Sequence, residues 1–203
     1  MRTRRWVRVE CAFGALLATI AASAAHAEEK PWSRVGRGEL YPIVQMLGGD
    51  TTSFFGGDLE MDIDSTSAFG AGMGINWDDH FNINTEFLVG RLDATGTSPL
   101  APGVTAELDV DAWIWNVNLD YNILKSRLTP LVTGGVGLMV LNNHGANINE
   151  TDFSYNLGVG GRWDITDGIA LRVIYRSTWA KLEDADDPSR FAGVTANLIF
   201  MFK

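Results

Sequence analysis

The chain has 203 residues, 16 basic and 25 acidic, for a formal net charge of −9, and one cysteine, Cys11. A balance this acidic excludes nucleic acid as a natural partner, and one cysteine excludes a disulfide-stapled fold. No internal segment approaches the ~18 apolar residues of a membrane-spanning helix, and no stretch reads as a linker between domains.

The N-terminus reads as an export signal. Arg2, Arg4, Arg5 and Arg8 precede an Ala/Leu-rich run from Cys11 to Ala22, and Ala25-His26-Ala27 fits a small-x-small cleavage site. Removing residues 1–27 takes away four Arg, one Glu and the cysteine, leaving 12 basic and 24 acidic residues. Residues 28–38 are then a short charged lead, and 39–203 form the folded domain.

From Leu40 onward the dominant signal is alternation, because successive side chains of a strand leave opposite faces. Leu40 to Leu47 is a first strand, and Gly48 to Asp64 a Gly-rich, acidic loop. Over Ser67 to Trp77, Phe69, Ala71, Met73, Ile75 and Trp77 share one face while Ala68, Gly70, Gly72, Gly74 and Asn76 occupy the other. Asp78-Asp79-His80 is a tight turn. Phe81, Ile83, Thr85, Phe87 and Val89 then oppose Asn82, Asn84, Glu86, Leu88 and Gly90. Asp93 to Ala106 is a longer loop. Trp113, Trp115, Val117, Leu119 and Tyr121 oppose Ile114, Asn116, Asn118 and Asp120. In Thr129 to Leu141 the same pattern is blurred by Leu131, Met139 and Leu141. Asn142 to Asp152 is a loop.

The hairpin Phe153 to Trp179 is the clearest stretch. Phe153, Tyr155, Leu157, Val159 and Trp163 oppose Ser154, Asn156 and Arg162; after a turn through Gly168, Leu171, Val173, Tyr175 and Trp179 oppose Arg172, Ile174 and Arg176. Lys181 to Ser189 is an acidic loop. In the last strand Val194, Ala196, Leu198, Phe200 and Phe202 oppose Gly193, Thr195, Asn197, Ile199 and Met201.

One face is therefore apolar with aromatic ends, and the other is Gly, Asn, Ser and Arg. A soluble sandwich would need a second apolar layer on the first face; a bilayer needs only lipid, with the small polar face lining a lumen. The pattern predicts an all-β, eight-stranded, antiparallel up-and-down transmembrane barrel. Long connections alternate with short ones, as outer loops and periplasmic turns do. Trp77, Phe81, Tyr121, Trp163 and Phe202 fall at the expected periplasmic interface, with Trp179 at the other.

Tyr121-Asn-Ile-Leu, Arg127-Leu-Thr-Pro-Leu-Val-Thr-Gly-Gly-Val-Gly137, Asn156-Leu-Gly-Val-Gly-Gly-Arg-Trp163 and Ile199-Phe-Met-Phe202, together with the signal peptide, resemble the small outer-membrane β-barrel superfamily of Gram-negative bacteria. That group includes opacity and attachment-invasion proteins and a small barrel that carries hydrophobic compounds. The resemblance implies a monomer in the outer membrane, contacts with its lipid and lipopolysaccharide, and delivery by the barrel-insertion machinery through the C-terminal strand. The family's insertion signal usually ends in an aromatic; here Lys203 follows Phe202.

The inward set contains Glu86, Asp120, Arg162, Arg172 and Arg176 with Asn116, Asn118, Asn156 and Asn197. Charges enclosed within lipid must be paired or hydrated, so these residues predict a polar network plugging the lumen, with Glu86–Arg176 the favoured pair. Acids recur in the expected outer loops at Asp58, Glu60, Asp62, Asp64, Asp109, Asp111, Glu183, Asp184, Asp186 and Asp187, without the spacing of a calcium motif. His80 and His144 do not stand in a His-x-Ser arrangement on a strand, so no catalytic residue, cofactor or metal site is assigned. The sequence favours a non-enzymatic envelope or surface-contact role through the acidic loops. A narrow channel or conduit for small hydrophobic molecules, and a lipid A-modifying enzyme, are the alternatives.

Overall fold

A computed structural model describes residues 33–48, 51–54, 59–63, 66–97, 105–143, 148–180 and 189–203. Among them are ten strands: β1 (Gly38–Gly48), β2 (Thr51–Phe54), β3 (Leu59–Ile63), β4 (Thr66–Asn76), β5 (Phe81–Thr97), β6 (Thr105–Asn122), β7 (Leu128–Asn143), β8 (Ile148–Asp164), β9 (Ile169–Ala180) and β10 (Ser189–Phe202). Eight of them close into one antiparallel barrel, with β10 on β1 and β5 on both β4 and β6. Closure leaves no strand edge facing hydrocarbon, the condition for a sheet in a bilayer.

The stagger follows from the register. Partners of Leu88 run one way through Gly70, Ile43, Asn197 and Arg172 to Arg162, and the other way through Ile114 and Met139 to Asp152, so one circuit returns to β8 ten residues away. A stagger of that size goes with a strand tilt of about 40° and an interior that side chains fill. At ~3.3 Å per residue and that tilt, Phe153 to Trp163 rises about 25 Å, the height of an outer-membrane apolar band.

The outward residues are those expected. Phe69, Met73, Ile75, Trp113, Trp115, Leu157, Trp163, Leu198 and Phe202 are all exposed. The inward face is buried and includes Asn84, Glu86, Asn118, Arg162, Arg172 and Arg176. Leu131 and Met139, which blurred the pattern of β7, point inward and are buried.

Inward glycines give room to large neighbours. A Cβ on Gly72 would come within 2.4 Å of the Tyr41 ring, and one on Gly137 within 2.3 Å of Asn116 Oδ1. Each bulky or amide side chain lies across the next strand, where only glycine leaves space.

The expected loops over Gly48–Asp64, Asp93–Ala106 and Asn142–Asp152 are shorter than the sequence predicts. β5 and β6 run 17 and 18 residues, and β2–β3 form a hairpin whose second strand pairs with β5 above the end of β4. Ladder hydrogen bonds continue past the lipid boundary, where neither face has to be apolar and alternation ceases to mark a strand. Residues 181–188 of the fourth expected loop lie outside the described residues, as do Asp58, Asp64 and His144.

At the opposite end the turns are short. In the first, Asp78 Oδ1 accepts the backbone N–H groups of His80 and Phe81, both at 2.7 Å, which holds the carboxyl below the usual carboxylate range.

The orientation of the two faces has a depth-dependent consequence. Val159, outward on β8, sits four residues from Trp163 and six from Phe153. V159R should destabilise the barrel in vesicles by ~2–4 kcal/mol, and F153R by no more than ~1 kcal/mol. Equal costs in reversible urea unfolding would contradict the outward apolar face.

Candidate functional site

The strands bring the inward charged residues together in two layers. In the middle of the lumen, Glu86 is the hub. Its Oε2 lies 2.5 Å from Arg176 Nη1 and its Oε1 lies 3.1 Å from Arg172 Nη2. Asn118 Nδ2 donates to Glu86 at 3.1 Å, and Tyr41 Oη to Oε1 at 3.5 Å. Arg172 also pairs with Asp120, donates from Nε to Asn197 Oδ1 at 3.0 Å, and lies over the Tyr41 ring at 4.6 Å. Asn156 Nδ2 donates to Asn118 Oδ1 at 3.0 Å. Asn116 is buried in register with Glu86.

Arg162 belongs to a second layer nearer the turns. Its Nη1 lies 2.7 Å from Glu39 Oε1 and its Nε 2.9 Å from Asp164 Oδ1. Arg34, from the lead, places Nη2 2.6 Å from Asp164 Oδ2, and Asn76 donates to Glu39 at 2.7 Å. The sequence reading did not include Arg34, Glu39, Tyr41 or Asp164 in the network. Tyr41 already stands on the inward face of the expected first strand with Ile43, and extending that strand by one residue places Glu39 there too. Carrying the alternation past Arg162 would have done the same for Asp164. Nothing in the sequence marks Arg34.

The buried charges of the described residues are Arg34, Arg162, Arg172 and Arg176 against Glu39, Glu86, Asp120 and Asp164. Four cations meet four anions, so this buried network carries no net charge. This matters because an isolated buried ion is far more costly than a paired one. Apolar side chains share the lining: Leu47, Leu88, Ile114, Met139 and Phe191 are buried toward the outer end, and Leu131, Ile199 and Met201 toward the turns, so the lumen is less uniformly polar than expected.

The aromatic residues stand at the strand ends. Trp77, Trp163 and Phe202 are exposed beside the short turns, where Phe81 and Tyr121 pack with ring centroids 5.1 Å apart. At the other end Trp179 stacks on Tyr155 at 5.2 Å. Among the described residues no three His, Cys, Asp or Glu side chains converge as a metal site. His80 Nδ1 lies 2.7 Å from the Asn122 carbonyl oxygen in the turn region, and Ser154 is buried on β8 near the opposite end.

A double-mutant cycle tests the hub. E86Q leaves two guanidinium groups facing an amide and should cost ~3–5 kcal/mol. E86Q/R176Q, with charge balance restored, should be more stable than E86Q alone; strictly additive losses would show that the pair is not coupled.

The outer membrane protein beta-barrel domain model matches residues 13–202. No curated protein matches the chain in sequence. Among solved structures, Neisserial surface protein A is similar, with a TM-score of 0.61 and 13% identity over 82% of this chain and 99% of that one. OprG from Pseudomonas aeruginosa gives a TM-score of 0.56 and 10% identity over 86% and 99%. The N-terminal β-barrel domain of OprF from the same organism gives 0.51 and 12% over 83% and 100%. Identities this low show a shared fold. The family match over nearly the whole chain, together with the closed barrel, makes this chain a member of the outer membrane protein beta-barrel domain family, located in the cell outer membrane.

Proposed function

We propose that this barrel is a non-enzymatic envelope protein whose lumen is a static plug and whose contacts are made at the outer rim. The observation that carries this reading is the charge-neutral network. Among the described residues four buried arginines and four buried carboxylates are held against one another, so the network itself offers no excess charge to draw an ion through. On this reading residues 1–27 are a cleaved signal. The partners are outer-membrane lipid and lipopolysaccharide around a monomeric barrel, the insertion machinery through β10, and whatever the acidic outer segments meet.

A second reading, a conduit for small apolar molecules, is favoured by one feature: the apolar lining at Leu47, Leu88, Ile114, Met139 and Phe191 toward the outer end. The two separate in reconstituted membranes. The plug predicts neither steady ion conductance in planar bilayers nor faster entry of an apolar fluorescent dye into vesicles, and an unaltered lipid A acylation pattern on expression. Dye entry abolished by L88R would favour the conduit, and altered acylation would favour an enzyme.

A further inference from the structure

The segment ahead of β1 does not simply lead into the barrel. Gly36, at φ +71°, turns the chain across the periplasmic mouth, and Arg34 beside it is only 1% exposed. Its backbone N–H donates to Asp79 Oδ1 at 2.9 Å. From the guanidinium, Nη1 donates to the Asp79 carbonyl at 3.0 Å and Nη2 to the Ser126 carbonyl at 2.6 Å. Nε donates to Asp164 Oδ2 at 2.8 Å. Gly36 N–H bonds the Asn76 carbonyl at 2.9 Å, and Arg37 donates to the Asp167 carbonyl. Five residues of strap thus touch all three periplasmic turns.

Directly inside this strap lies a cluster of buried polar atoms that the protein does not satisfy. Glu39 Oε2, Asn76 Oδ1, Asn82 Nδ2 and Asn122 Oδ1 have no hydrogen-bond partner, and none of these residues is more than 1% exposed. Asn76 and Asn82 face each other across the β4–β5 ladder, and Asn122 stands at the end of β6 beside them. Three are acceptors and one is a donor. A set of mixed sense suits water, which offers both, better than an ion of either sign. Buried polar groups that lack protein partners are ordinarily met by ordered water.

We propose that the periplasmic end of the lumen is a hydrated vestibule bounded by Glu39, Asn76, Asn82 and Asn122, and that residues 33–37 are its removable seal, latched by Arg34. The strap lies ahead of the β1–β4 register, which begins at Gly38 and Ile75. Its departure therefore breaks the backbone bonds that Gly36 and Arg37 make to Asn76 at the end of β4 but no pair of that register, while the central Glu86 layer stays intact.

Cysteine accessibility tests this. In a C11A background, N82C places the chain's one thiol in the vestibule, and a small water-soluble methanethiosulfonate is added to the reconstituted barrel. Closure by local structure protects according to its opening equilibrium, so R34Q and G36V should each speed modification by about 100-fold. G36V removes no charge and strains only the turn, so it serves if R34Q fails to fold; folding is read from heat-modifiable gel migration. Rapid modification with the strap intact would overturn the seal. Continued protection in a folded R34Q or G36V barrel would overturn the vestibule.

Discussion

A guanidinium group enclosed by a cylinder of strands in hydrocarbon cannot be solvated from outside, so it must meet a carboxylate within. That constraint organises this barrel. Glu86 receives Arg172 and Arg176, Asp120 receives Arg172, and Asp164 receives Arg162 and Arg34. Buried pairs of this kind add little net stability compared with well-packed apolar residues, but removing one partner is severe. The network therefore fixes which inward residues belong together more than it strengthens the fold. Its neutrality also fits a lumen that carries no ionic current.

The second constraint is volume. An eight-stranded barrel has an interior that side chains must fill and cannot overfill. Glycine beside some of the large inward residues helps to solve this, as Gly72 does for Tyr41 and Gly135 for Asn118. The same glycines explain why the polar face reads as small in the sequence. Lipid outside imposes no such limit, so Trp, Phe and Leu gather there. The two chemistries of one strand are thus two aspects of a single cross-section.

How much of this was legible follows from where alternation is enforced. Within the bilayer the rule is strict, and the inward set from Asn82 to Glu86 and from Asn156 to Arg176 could be read directly. It failed at three kinds of place. Beyond the outer aromatic residues the strands continue without a lipid face, so β2, β3 and the upper parts of β5 to β8 looked like loops. At the turn end, Glu39 and Asp164 each lie one step past the clearest alternation. Arg34 belongs to no strand, and its place depends on a left-handed Gly36 that sequence spacing does not reveal. Inward Leu131 and Met139 were ambiguous for a different reason: a lumen needs filling as well as polarity, and apolar side chains fill it too.

The central claim is the sidedness of the strands, and spin-label accessibility along β8 in lipid vesicles tests it most directly. Labels at Phe153, Tyr155, Leu157, Val159 and Trp163 should collide strongly with oxygen, which concentrates in hydrocarbon, and weakly with a water-soluble nickel chelate. Labels at Ser154, Asn156 and Arg162 should be shielded from both. High nickel and low oxygen accessibility at the first set would place those side chains in water and contradict the account.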